Sequence, residues 1–172
     1  TNSGYPRVIK EWRRGTPLTD ATMVFEGQPS DIRVAAYRST EKGYEREFVY
    51  RALTFYTSEL FLRQDGQLTK IEVPDDARGK NVVRDWLFVE LRTPWTVAGQ
   101  TYPAGALLAI DFKRFMRGER QFEILFAPSE RKSLADYTVF REHIILNELD
   151  NVKNRLYVLS LRDGKWFPEL SR

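Results

Sequence analysis

The chain has 172 residues, of which 42% are hydrophobic, 30% charged and none cysteine. This length suits one domain with a sizeable core, and the composition argues against disorder. A net charge of +3, from 27 basic and 24 acidic residues mixed along the chain, is too weak to call for nucleic acid or an anionic membrane as partner.

In chain order, the first readable element is residues 6–27, "PRVIKEWRRGTPLTDATMVFEG". It reads as the last two strands of a preceding unit, turning at Gly15-Thr16-Pro17. Four strands follow at 32–38, 46–55, 58–64 and 67–73, the last two joined by Asp65-Gly66. Asp-Gly between strand-forming residues is the strongest short-range hairpin signal, because the turn needs positive φ and glycine supplies it without steric cost. The next strands are expected within 79–92, at 105–112 and at 121–126. The basic and aromatic stretch "DFKRFMRGERQF" (111–122) separates the last two. The final set is 134–142, 143–150, 155–161 and 165–170, with turns at Asp150-Asn151 and Asp163-Gly164.

A marker recurs at the end of each set: an apolar β run, a proline and then small or acidic residues. It occurs around Pro29-Ser30-Asp31, Pro74-Asp75-Asp76 and Pro128-Ser129-Glu130, with a truncated version at Pro168. Four short antiparallel strands in every ~40–50 residues is the signature of a β-propeller blade. A sandwich is the alternative at this length, but it would not ordinarily repeat an end-of-unit motif. The fold class is therefore all-β, a propeller fragment of about three and a half four-stranded blades. Residues 5–27 form the last hairpin of one blade, and 28–73, 74–127 and 128–172 form the others. Such an arc cannot close a ring of about 4–8 blades, so it reads as part of a larger propeller.

Chemistry-bearing motifs are scarce. His143 is the one histidine and reads as a strand residue with one solvated or hydrogen-bonded nitrogen. No G-x-S-x-G elbow, P-loop, H-E-x-x-H or EF-hand loop occurs, and one histidine without cysteine is a poor start for zinc. Asp75-Asp76 could pair as catalytic carboxylates, but a turn after Pro74 is the better reading. The 111–122 stretch could be a nucleic-acid patch, but reads better as a short helical insertion solvated on its basic side. Trp12, Trp86, Trp95 and Trp166 are expected between packed blades. No catalytic, cofactor-binding or metal-binding residue is assigned. No apolar run approaches the ~18 residues of a membrane span.

"SGYPRVIKEWRRGTPL" (3–18), "VPDDA" (73–77), "RDWLFVELRTPW" (84–95) and "TYPAGALLAIDF" (101–112) resemble the prolyl oligopeptidase family of serine peptidases. The likeness lies in that family's N-terminal propeller and covers essentially the whole chain. It implies a seven-bladed propeller capping a separate α/β-hydrolase domain. That domain carries the Ser, Asp and His and cuts after proline, while the propeller admits only short peptides. None of the hydrolase domain is read in these residues, so no catalytic residue carries over, and no cofactor is implied. On this reading the chain is an enzyme by parentage and inert alone. Its partners are peptide substrates through the parent enzyme and the hydrolase domain of the same chain, not nucleic acid or membrane, with a homodimer through exposed blade faces expected of the fragment. The compartment is read as cytoplasm, with periplasm the alternative. The contrasting function is a stand-alone β-repeat module that binds a protein partner.

Overall fold

The computed structural model describes residues 1–169. The chain forms two compact units, Thr1–Asp76 and Ala77–Arg172.

The first unit opens with an antiparallel ribbon of β1 (Val8–Glu11) and β2 (Thr22–Glu26). The connection between them is longer than the turn expected at Gly15-Thr16-Pro17, because it also holds a 3-10 turn at Leu18–Asp20. Then come β3 (Arg33–Ser39), β4 (Arg46–Ala52), β5 (Ser58–Gln64) and β6 (Gln67–Lys70). They form a four-stranded antiparallel sheet in sequence order, each strand paired with the next. Val34, Phe48, Val49, Leu60 and Ile71 are its buried anchors. Asp65 and Gly66 both take positive φ, 51° and 77°, which matches the twist of the flanking strands.

The second unit contains two four-stranded sheets. The first is built from β7 (Gly79–Val83), β8 (Trp86–Glu90), β11 (Leu107–Asp111) and β12 (Glu123–Phe126), adjacent in that order. Between β8 and β11 the chain leaves the sheet to make a separate hairpin, β9 (Trp95–Val97) and β10 (Gln100–Tyr102). The sequence reading did not anticipate this hairpin. Between β11 and β12 lies a one-turn helix, α1 (Phe112–Met116), capped by the Asp111 carboxylate accepting from the Arg114 N–H at 2.8 Å. The last sheet is β13 (Lys132–Phe140), β14 (His143–Asp150), β15 (Lys153–Arg162) and β16 (Lys165–Pro168). The expected last strand runs to Leu170 and the expected last blade to Arg172; positions 170–172 lie outside the described residues.

Strand register divides the last sheet into two unlike faces, since alternate residues point opposite ways. Leu134, Ile144, Leu146, Leu159 and Trp166 turn inward and join Phe88, Leu107, Ala109 and Phe126 in one core. Cross-strand pairing puts Phe140, Ile145, Leu156 and Phe167 on the opposite face, each at least 41% exposed.

Two further expectations are corrected. The β14–β15 turn falls at Asn151-Val152, one residue beyond Asp150-Asn151, because Asp150 is still paired with Lys153. Of the four tryptophans, Trp86 and Trp166 meet edge to face between the sheets of the second unit, with centroids 5.5 Å apart. Trp12 is instead exposed and donates to the Thr16 carbonyl at 2.9 Å, and Trp95 belongs to the inserted hairpin.

Candidate functional site

The densest polar chemistry lies at one end of the first unit's sheet. An even number of antiparallel strands brings the chain onto β3 and off β6 at the same end, where the β4–β5 loop also turns. Asp31 lies just before β3, Arg51 and Glu59 flank the loop, and Lys70 and Asp75 lie where the chain leaves β6. Arg51 forks onto Asp31, Nε to Oδ2 at 2.8 Å and a terminal nitrogen to Oδ1 at 3.0 Å. Its other terminal nitrogen donates to Glu59 at 3.1 Å. Lys70 donates to the second Glu59 oxygen at 2.8 Å and lies 3.2 Å from Asp75.

Asp31 is nearly inaccessible, at 3% exposure. Arg51 holds its carboxyl below the usual carboxylate range; burial opposes this, and the Gln28 N–H, donating at 2.6 Å, assists. For Glu59, burial pushes upward, and the hydrogen bonds and charge of Lys70 and Arg51 overcome it, so the net shift is down. Every carboxylate here is matched by a cation, so the cluster is a brace rather than a store of reactive groups. Asp75-Asp76 sits in a turn, as expected, and the Asp75 carbonyl accepts from the Ser58 N–H at 2.8 Å.

The braced end carries an exposed tip. Phe55 is 84% and Tyr56 69% exposed. The backbone beneath them is tied down: the Thr54 hydroxyl accepts from the N–H groups of Tyr56 and Thr57 at 3.1 and 3.0 Å. The Thr57 carbonyl accepts from Leu53 and Thr54 at 3.0 and 3.2 Å.

Other candidate groups sit elsewhere. His143 begins β14, half-exposed, with Nε2 3.5 Å from a Glu169 carboxylate oxygen. The buried Ser160 hydroxyl donates to that same oxygen, so the carboxylate stands between serine and histidine. In a serine-peptidase triad the imidazole holds the middle place. Tyr137, in β13, is pushed up to about 12, by burial first and then by the charges of Glu90 and Asp136. In the 111–122 stretch, Phe112, Phe115 and Phe122 are buried, so they are not presented as stacking platforms for bases. Arg114 pairs with Glu119 at 2.7 Å, and Arg120 lies over the Phe115 ring at 4.0 Å. Among the described residues, no group of three or more His, Cys, Asp or Glu is placed to hold a metal ion.

Neither the Asp31–Arg51–Glu59–Lys70 brace nor the aromatic tip was singled out from sequence. The available signals were the acidic residue that follows each repeated proline, and Thr residues flanking two adjacent aromatics.

No family model matches the chain. It is 28% identical over 175 residues to an uncharacterized peptidase of Sinorhizobium fredii, covering 96% of this chain and 24% of that protein. Among solved structures it is similar to a post-proline cleaving enzyme from Rickettsia typhi, with a TM-score of 0.89 and 24% identity. That match covers 100% of this chain and 26% of the other. The fold is that of a propeller segment from a prolyl oligopeptidase. It is also similar to oligopeptidase B from Trypanosoma brucei, with a TM-score of 0.65, 15% identity, and coverage of 95% of this chain and 23% of that one. The chain thus spans about a quarter of the length of the curated relatives it matches. In this prolyl oligopeptidase propeller fold, the recurrent proline-acidic marker gains a structural meaning. In the first unit it lies where the chain joins and leaves a sheet, and its acidic residues pin both crossings to the sheet's end.

Proposed function

We propose that this chain is the non-catalytic propeller segment of a prolyl oligopeptidase-type serine endopeptidase. It limits access of peptides to an active site on a separate α/β-hydrolase domain of the same parent chain. The observation that carries this reading is the likeness to the Rickettsia typhi enzyme, which runs through all of this chain and only 26% of the other. The chemistry is consistent with it, because the charged groups of the first sheet are spent on bracing one another.

Expression of the complete gene product and of the 172-residue chain tests the proposal. The complete protein is expected to cleave post-proline reporter peptides and to take a serine-directed phosphonate outside residues 1–172. The isolated chain is expected to do neither, since a hydroxyl without a base and oxyanion donors forfeits most of the ~10⁶-fold or greater acceleration such enzymes supply. Phosphonate labelling of one serine within residues 1–172 would contradict the proposal. A complete gene product that binds a protein and has no hydrolase domain would favour the stand-alone module. In isolation the segment is further proposed to pair with a second copy through its exposed sheet face.

A further inference from the structure

We propose that a cleft inside the second unit, between β12 and the inward face of the last sheet, binds a small neutral amide carrying an aliphatic side chain. The group recognised is one peptide bond with its side chain. The inference stands independently of the reading proposed above.

Strand register builds the cleft. Alternation puts Leu146 and Glu148 of β14, Leu159 of β15 and Trp166 of β16 on one face of the last sheet. With β12 opposite, they enclose a cavity of about 310 Å³. That volume is at the lower end of ligand-binding pockets, room for one residue and its amide. The Trp166 backbone N–H donates to the Glu123 carboxylate at 2.9 Å, which ties β16 to β12 and holds the walls in place. Ile124 and Tyr157, which also line the cleft, are each more than one-third exposed, so it opens to solvent.

Two polar groups in this apolar setting have bonding capacity that the described residues do not use. Glu148 is 6% exposed, although its neighbours on the inward face are leucines. Its Oε1 accepts from Lys132 at 2.8 Å and from the Tyr157 hydroxyl at 3.4 Å, and no donor among the described residues reaches Oε2. Trp166 is also 6% exposed, and its indole N–H has no acceptor among the described residues. Buried tryptophan nitrogens ordinarily find a partner, and a carboxylate taken out of water costs free energy unless its oxygens are satisfied.

These requirements specify the ligand. An N–H group satisfies Glu148 Oε2 and a carbonyl oxygen satisfies the indole N–H, which together are the donor and acceptor of an amide. Leu146 and Leu159 take up an aliphatic group. The ligand is neutral because Lys132 already balances Glu148. A further ammonium or carboxylate would stand uncompensated among apolar side chains.

Saturation-transfer NMR on the complete gene product tests the proposal, with any catalytic serine blocked beforehand by a phosphonate. The probe is N-acetylleucinamide, compared with cationic leucinamide and anionic N-acetylleucine. The neutral probe is expected to bind with a dissociation constant of about 1 mM, the order that about a dozen non-hydrogen atoms supply. Each charged analogue is expected to bind at least about tenfold more weakly. Trp166→Phe keeps a ring but loses the N–H, and is expected to weaken binding about fivefold. Glu148→Leu, which replaces the carboxylate by methyl groups, is expected to abolish it, with melting temperatures showing that each variant is folded. The comparison of probes needs no variant, so it decides the matter even where a substitution unfolds the chain. Equal transfer to all three probes, no transfer up to about 10 mM, or transfer unaltered by both substitutions would overturn the inference. A crystal soaked in the probe with only water beside Trp166 and Glu148 would do the same.

Discussion

Gly27 stands so close to Asp31 that a β carbon on it would lie 2.6 Å from Oδ2 and 2.8 Å from a Val34 methyl group. Gly27 is not among the glycines with positive φ, so the requirement is for space and not for conformation. Gly27→Ala must push Asp31 off Arg51 or displace Val34 from the core, at a cost of about 2–3 kcal/mol. At Gly43, φ is +87° and nothing lies within 4 Å, so alanine there meets only backbone strain, about 1 kcal/mol. Urea denaturation of the two variants measures the difference, and equal losses would contradict the crowding.

Acid should attack the same bond. The folded-state pKa of Asp31 lies below its ordinary value of 3.8. Its contribution is therefore complete above that value and disappears as pH falls through the lower, folded one. Asp31→Asn should flatten this acid limb of stability. It should also cost about 2–3 kcal/mol near neutrality, less than the ~3–5 of a fully buried broken pair, since Arg51 keeps Glu59. Thermal melts from pH 2 to 7 on both proteins provide the check; parallel curves would rule out the linkage.

Val152 should be a position where the chain gains by losing a side chain. It holds φ +69° at the second position of its hairpin turn, where Gly66, Gly99 and Gly164 stand in others. A β-branched residue is strained in that region, and at 92% exposure its side chain has little burial to lose. Removing ~1–2 kcal/mol of strain at the ~0.5–1 kcal/mol entropic cost of glycine gives Val152→Gly a gain of roughly 1 kcal/mol. A lower melting temperature would contradict it.

The exposed face of the last sheet predicts self-association of the isolated chain. Phe140, Ile145, Leu156 and Phe167 stand exposed on one side of a sheet, interspersed with His143, Ser160 and Asn147, and apolar side chains gathered on one face favour association. Light scattering after gel filtration at micromolar concentration should find a dimer, and Ile145→Ser with Leu156→Ser should convert it to monomer. A wild-type monomer of 20.2 kDa would refute the pairing.

The parts legible in the sequence were those governed by neighbouring residues. Asp65-Gly66 and Asp163-Gly164 announce hairpins because turn type depends on two adjacent φ angles. His143, Asp75-Asp76 and the short helix after Asp111 were readable for the same reason. The β9–β10 hairpin also had a local signal in Ala98-Gly99, but its strands are three residues long and hemmed in by Pro94 and Pro103. The brace was beyond reach, because Asp31 and Arg51 are twenty positions apart and meet only once β3 and β4 pair. Phe55, taken as the end of a strand, was diverted into a loop by the Thr54 hydroxyl capturing two N–H groups.

The inserted β9–β10 hairpin gives the second unit a separate aromatic nucleus. Trp95, Tyr102, Phe115 and Phe122 touch one another in a chain of ring contacts between 5.1 and 6.0 Å where they pack most closely, and the Tyr102 hydroxyl accepts from the Phe122 N–H at 3.0 Å. None of these four belongs to the core that joins the unit's two sheets. A fold with two such nuclei has a fault line along which it can yield in stages. Residues 95–102 and the short helix are expected to open together, exchanging their amide protons before those of the sheets. Heat or denaturant would thus peel away an outer appendage first, and the remainder would keep its strand order until the larger nucleus gave way.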